Sequence, residues 1–327
     1  MLKGIALKVG ATFAFALMAA LIKAAAPTYP VSEIVFFRSV FAMATLAGWL
    51  ASLGEWPSAL RTTRPLGHIG RSLAGSCGMY GYFLSLAFLP LADATAFTFV
   101  SPLIIVPLAS VVLGEAVGFA RAAAVGLGFA GVLVMLSGHL GEGASGAASG
   151  LGALVALVGA SGTAIAMIQI RRLTESESTG AIVFYFSAVT AVISLAPLVA
   201  ATAWPDRGAF AGLLATQRFV TPGAVDFAIL AALGLLGGCG QIMLTQCYRY
   251  ADASIIAGFD YVAMIWAASL GYLVFGEVPT GRVLLGAAIV MTAGAGLLVW
   301  ERGRRAIRIP EQVLSGAGQN RSIIRTR

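Results

Sequence analysis

The chain has 327 residues, of which 59% are hydrophobic and only 11% charged, and its mean hydropathy is +0.90. A soluble domain carries about 25% charged residues, so this composition excludes a water-soluble globular protein and sets most of the surface against lipid. The net charge of +7 would suit nucleic acid, but seven of the 21 Lys and Arg residues follow Trp300; a basic tail beside a last apolar segment marks a cytoplasmic membrane face, not a DNA-binding arm.

A hydrocarbon core of roughly 30 Å takes about 20 apolar residues per helix. Apolar runs bounded by charge, Pro or Gly place helices at 4–25, 32–53, 70–89, 93–113, 119–138, 150–170, 180–201, 226–248, 253–275 and 281–300. The first run, with Lys3 and Lys8 ahead of it and Ala24 and Ala26 behind, has the outline of a signal peptide. It is read as a span because it fits a repeated helix pattern and nine more spans follow. Residues 139–149 (HLGEGASGAAS) read as a flexible external linker, and 204–226 as the longest loop, also external. The tail, 301–327, is polar and basic and is expected to be largely disordered. Cys77, Cys239 and Cys247 lie in apolar stretches without CxxC spacing and read as small core residues.

Lys and Arg fix the orientation. With the N-terminus inside, sixteen basic residues, among them Lys8, Arg71 and the tail arginines, fall on the inner face and three on the outer. Both termini are therefore expected in the cytoplasm, with the chain in a bacterial-type inner membrane.

An internal repeat organises the spans. A shift of 159 residues lays Gly75, Gly78 and Gly81 on Gly234, Gly237 and Gly240, and Ala92-Asp93-Ala94 on Ala251-Asp252-Ala253; slightly out of register, Leu113-Gly114-Glu115 matches Phe275-Gly276-Glu277. Five helices per half is odd, so the second half enters the membrane from the opposite side. The expected fold is an all-α membrane protein of ten transmembrane helices in two inverted five-helix repeats, 1–138 and 150–300. Secondary transporters share this construction, with substrate near the midplane between repeats.

Charges inside a span mark function by default. Arg38 lies about five residues inside the second span, facing a solute, a counter-charge or a structural ion pair. Lys23, at the end of the first span, is expected to snorkel to the interface. Asp260 lies about eight residues inside the ninth span, roughly 12 Å deep; it reads as a proton-coupling carboxylate, or as a structural partner of Gln241 or Tyr82. Asp93 and Asp252 are expected to cap helix starts. Glu115 and Glu277, at helix ends, are expected to answer to Arg121 and Arg282 or to free amides of the next helix. Tyr82, Tyr261, Gln169 and Gln241 suit edge hydrogen bonds and stacking on a planar solute, though packing explains most such residues one by one. Pro102 and Pro107 break the fourth span, as a kinked gating helix would.

Val35-Phe36-Phe37-Arg38, Pro102 and the closing Gly114-Glu115 resemble the EamA module of the drug/metabolite transporter superfamily, over about 4–138 and more weakly 150–300. Thr63-Arg64-Pro65-Leu66-Gly67-His68-Ile69-Gly70-Arg71, followed by Leu89-Pro90-Leu91-Ala92-Asp93-Ala94, is similar to the branch of S-adenosylmethionine uptake carriers and bacterial riboflavin transporters. That resemblance implies ten helices, paired inverted repeats and transport of a metabolite. The second half departs from it, with Phe186 where Arg38 would fall and Tyr261 where Pro102 would.

The reading is a secondary carrier of a small organic metabolite (vitamin, nucleoside-like or amino-acid-like), proton-coupled or driven by the solute gradient alone, as a monomer or homodimer. A gated channel and an intramembrane enzyme are the alternatives. The two histidines, His68 and His139, fall on opposite faces, and HExxH, a metal-ligand cluster and a GxxxxGK[ST] loop are all missing. No catalytic residue, metal, cofactor or nucleic-acid partner is therefore expected.

Overall fold

The computed structural model describes residues 2–105, 108, 119–139, 144–173, 176–203, 217–250, 259–296 and 299–300. Pro107, Glu115, Asp252 and the tail 301–327 lie outside the described residues. The described residues are helical or connecting, with no strand among them. In chain order the helices are α1 (Leu2–Ala25), α2 (Val31–Ser52), α3 (Pro65–Ser85), α4 (Leu91–Thr98), α5 (Phe119–Ser137), α6 (Ala144–Leu173), α7 (Thr179–Ala203), α8 (Ala224–Tyr250), α9 (Val262–Phe275) and α10 (Gly281–Gly296). Five of them, α1, α2, α6, α7 and α8, are long and apolar enough to cross a membrane, and α4, α5, α9 and α10 are shorter apolar helices.

Several boundaries differ from the sequence reading for local reasons. Helix α3 begins at Pro65, not near residue 70, because a proline at the first helical position gives up an N–H that would be unpaired there anyway. The expected linker 139–149 is helical from Ala144, where an Ala- and Ser-containing stretch continues α6 without a proline to stop it. The fourth span starts at Leu91 behind Pro90, loses helical form at Phe99 and Val100, and resumes from Ser101 to Ile105. Pro102 thus sits in the first turn of the resumed piece, where its ring is tolerated. Phe259, Asp260 and Tyr261 form a turn immediately ahead of α9. Asp260 therefore does not lie within a continuous ninth helix, as the apolar run implied.

Helices pack in a reciprocal pattern. Helix α3 runs along α6 and α1 along α8; α2 packs on both α7 and α8; α4 meets α6 and α9, and α9 meets α1. At the α3–α6 crossing, Gly81 faces Gly159 backbone to backbone, so any side chain would hold the helices apart. The main apolar core is built on Ile22, Ile34, Phe83, Leu86, Phe97, Met135 and Leu233, and a smaller one of Leu46, Leu50 and Val183 joins α2 to α7. Exposed Leu127, Leu133, Val158, Val192, Ile265 and Leu273 turn outward, as a lipid-facing surface requires.

Candidate substrate site

The chain's polar groups gather at the two ends of the bundle and at its centre. At the end where α1 begins, Glu177, in the connection between α6 and α7, accepts hydrogen bonds from the Thr63 N–H (2.9 Å), the Thr63 hydroxyl (2.8 Å) and the Arg64 N–H (3.1 Å), with His68 Nε2 at 3.4 Å. Burial opposes ionisation of this carboxyl, but the donors from Thr63, Thr62 and His68 outweigh it and hold Glu177 down at about 2.

The opposite end carries a second knot. Lys23 Nζ lies 2.8 Å from Glu277 and donates to the carbonyls of Leu86 and Leu89, while Glu277 also accepts the Leu91 N–H at 2.8 Å. Lys23 therefore does not reach out to the interface; it is answered inside the bundle by the second half of the chain. Glu277 takes the free amide at the start of α4, and Arg282 instead donates to the Ser137 carbonyl. Asp93 does not cap α4: that helix has no side-chain cap, and both Asp93 oxygens lack a hydrogen-bond partner. Its neighbour is His139, 3.4 Å away, whose other ring nitrogen meets Ser149 at 2.7 Å. On the same end the Tyr29 hydroxyl donates to Asp226 (2.8 Å); burial, with that carboxylate, pushes Tyr29 up to about 12.

Between the ends, the turn ahead of α9 and the break in α4 meet, with the Phe99 and Tyr261 rings 5.4 Å apart and edge-on. Tyr82 pairs with the Thr95 hydroxyl at 3.1 Å. Asp260 forms an ion pair with Lys8, whose side chain is 3% exposed against 48% for Asp260. Lys8 is therefore not an interfacial charge, and neither Gln241 nor Tyr82 is the partner of Asp260. Gln169 lies against α3 at Gly70, and Gln241 is half-buried on α8. Arg38 and Asp260 are not brought into contact: they face different elements.

The centre of the bundle holds the least expected arrangement. Arg38 lies roughly 10 Å along α2 from its start and Arg71 roughly 9 Å along α3 from its own, and each is only 4% exposed. Both guanidiniums converge on Phe186 of α7, their central carbons 5.7 and 3.8 Å from the ring centroid, within cation–π range. Nε and Nη1 of each find no hydrogen-bond partner, and among the described residues neither arginine has a carboxylate in ion-pair range. Gly237 on α8 and Gly75 on α3 leave the room: a Cβ on Gly237 would sit 3.1 Å from Arg38 Nε, and one on Gly75 would sit 2.9 Å from the Phe186 ring. Burying an arginine at helix mid-depth costs about 2.5–3.5 kcal/mol even on permissive insertion scales, and two like charges add repulsion.

Sequence reasoning found Arg38 because a charge stood inside an apolar run. It missed Arg71, which it assigned to the inner face with the loop arginines, because the polar stretch 61–71 hid the early start of α3. Phe186 was visible as the residue at Arg38's position in the second half; that the two would touch was not.

The EamA-like transporter family matches residues 2–137 and again 150–299. The chain belongs to this family. A pseudopaline exporter of Pseudomonas aeruginosa is 30% identical over 301 residues, covering 92% of this chain and 97% of that one. An S-adenosylmethionine uptake transporter of Rickettsia prowazekii is 27% identical (83% of each chain), and a riboflavin transporter of Rhizobium johnstonii is 28% identical (81% and 80%). A solved crystal structure shares the fold, with a TM-score of 0.59 at 20% identity over 93% of this chain and 98% of that one. The chain is thus a multi-pass protein of the bacterial inner membrane and a small-molecule transporter, not an enzyme.

Proposed function

We propose that the chain is a secondary carrier that moves a small organic metabolite by alternating access between two inverted five-helix halves, 1–138 and 150–300, with both termini in the cytoplasm. The observation that carries this reading is the meeting of the break in the fourth span, at Phe99–Val100, with the turn that leads into α9, Phe259–Tyr261, through the Phe99–Tyr261 contact. Discontinuous helices near the interface between repeats are where carriers hold their solutes. The packing supports the same reading, since α3 on α6 and α8 on α1 exchange when the halves are exchanged. The relatives' solutes supply the range: pseudopaline, S-adenosylmethionine and riboflavin are each named for one of them.

Tyr82, Tyr261, Gln169 and Gln241 are the proposed polar lining, and the break ahead of Pro102 is the proposed bend. Asp260, held by Lys8, is the candidate for proton coupling. The test is uptake of labelled riboflavin, S-adenosylmethionine and aromatic amino acids into proteoliposomes, with and without a pH gradient. A carrier shows counterflow, accelerated entry of label against preloaded unlabelled solute, and a channel does not. Full gradient-driven accumulation by Asp260→Asn removes the proton role from Asp260 while leaving the carrier in place.

A further inference from the structure

The buried charges of the bundle divide into those with an answer and those without. Lys8 has Asp260, Lys23 has Glu277, His68 has Glu177, and His139 has Asp93. Arg38 and Arg71 have the ring of Phe186 and each other's repulsion. A lysine or histidine so placed can lose its proton; an arginine keeps its charge. Water can take up guanidinium N–H groups, but it brings no compensating charge. A ring face is a weak partner for a cation compared with a carboxylate. A counter-charge at this centre would have to come from an anion that is not part of the described chain.

Geometry narrows the anion. The two guanidiniums come from α2 and α3 and are held on the same ring of α7, so their forks can converge on one planar group. A carboxylate accepts from both, where a guanidinium fork fits its two oxygens in one plane. The pair stands deep between α2, α3, α7 and α8, with Arg38 against Gly237 well along α8 from its start, far from where lipid headgroups lie. Gly75 and Gly237 make the room that the Phe186 ring and the Arg38 side chain occupy.

Resting on the carrier reading above, we propose that Arg38, Arg71 and Phe186 form the subsite for the carboxylate of an organic-acid solute, so that the transported metabolite is a carboxylate and not a neutral molecule. The arginines neutralise the anion at mid-bundle, and Phe186 holds both forks in register while the site is empty. Two buried cations without a bound anion favour occupancy, since the loaded carrier alone offers them a counter-charge and lowers the net charge of the centre.

The experiment uses the full-length chain purified in mild detergent at constant ionic strength. Isothermal titration compares L-tryptophan with L-tryptophanamide, phenylacetate with phenylacetamide, and S-adenosylmethionine with its methyl ester; inorganic phosphate is a separate arm. At least one acid is expected to bind ten-fold or more tightly than its masked partner. That preference should vanish in Arg38→Gln and Arg71→Gln and survive in part in Arg71→Lys, which keeps the charge and loses the fork. Without ligand, Arg71→Met should melt at a higher temperature than the parent chain, because it removes an unanswered charge; loss of a structural ion pair would lower it. The proposal is overturned if no acid binds, if acid and masked partner bind alike, if phosphate alone binds, or if the Arg38→Gln/Arg71→Gln double variant keeps the preference. Acids that bind and are never transported would sink the carrier reading and leave the subsite standing. Transport of riboflavin that is indifferent to both arginines would do the reverse.

Discussion

Replacing Gly159 by alanine tests the packing that sets the position of α3, and with it Arg71. A Cβ on Gly159 would lie 2.9 Å from the Gly81 Cα and 3.0 Å from the Gly78 carbonyl oxygen. Both neighbours are backbone of another helix, so no side-chain rotation relieves the contact and the helices must part. Overpacking of this kind costs about 1–3 kcal/mol. Alanine returns about 0.5–1 kcal/mol through its better helix preference, so the net loss should lie between about 0 and 2.5 kcal/mol, against a gain at a site with free space. Gly126 in α5 is the matched control, because a Cβ there meets nothing within 4 Å; Gly126→Ala should be neutral or slightly stabilising. Unfolding of the purified chains by heat and by SDS, followed by tryptophan fluorescence and circular dichroism, gives the comparison. A Gly159→Ala protein as stable as Gly126→Ala would refute the close-contact argument.

Three further outcomes follow from the ion pairs. Lys23→Met strands Glu277 in a partly buried site and should cost about 2–4 kcal/mol; adding Glu277→Gln should recover much of that, and a double variant no better than the single would contradict direct pairing. For Lys8 and Asp260, the exchanged pair Lys8→Asp/Asp260→Lys should be more stable than either single change, as measured by the same melts. Glu177 has its folded pKa lowered to about 2 from the ordinary 4.5, so its stabilisation is present above about 4.5 and is lost as pH falls toward 2. Melting temperature should therefore drop across that window in the parent chain, and Glu177→Gln should flatten that part of the profile.

The helices were legible because lipid demands long apolar runs, and α1, α2, α7 and α8 fall within a few residues of where those runs end. The break in the fourth span and the turn ahead of α9 were hidden for the same reason: Phe99, Val100, Phe259 and Tyr261 are as apolar in a turn as in a helix, so hydropathy cannot see the difference. Single buried charges such as Arg38 announce themselves, but their partners do not. Lys8 finds Asp260 and Lys23 finds Glu277 across nearly the whole chain, and no local pattern encodes such distant pairing. Arg71 was hidden for a different reason, since its neighbours Arg64, His68 and Gly70 gave the stretch a loop's composition although Pro65 had already started a helix.

The Lys23–Glu277–Leu91 knot has a consequence for how the protein is made. Helix α1 emerges first, carrying Lys8 and Lys23, while Asp260 and Glu277 are among the last residues to enter the membrane. Until they arrive, the Lys8 ammonium and the first free amide of α4 lack the partners they have in the finished fold, and Lys23 has only the Leu86 and Leu89 carbonyls and no counter-charge, so the leading five helices cannot reach their final packing alone. The halves mature together, and a chain divided after α5 would yield a first fragment that waits in the bilayer, unfinished and open to proteolysis, until the second is supplied.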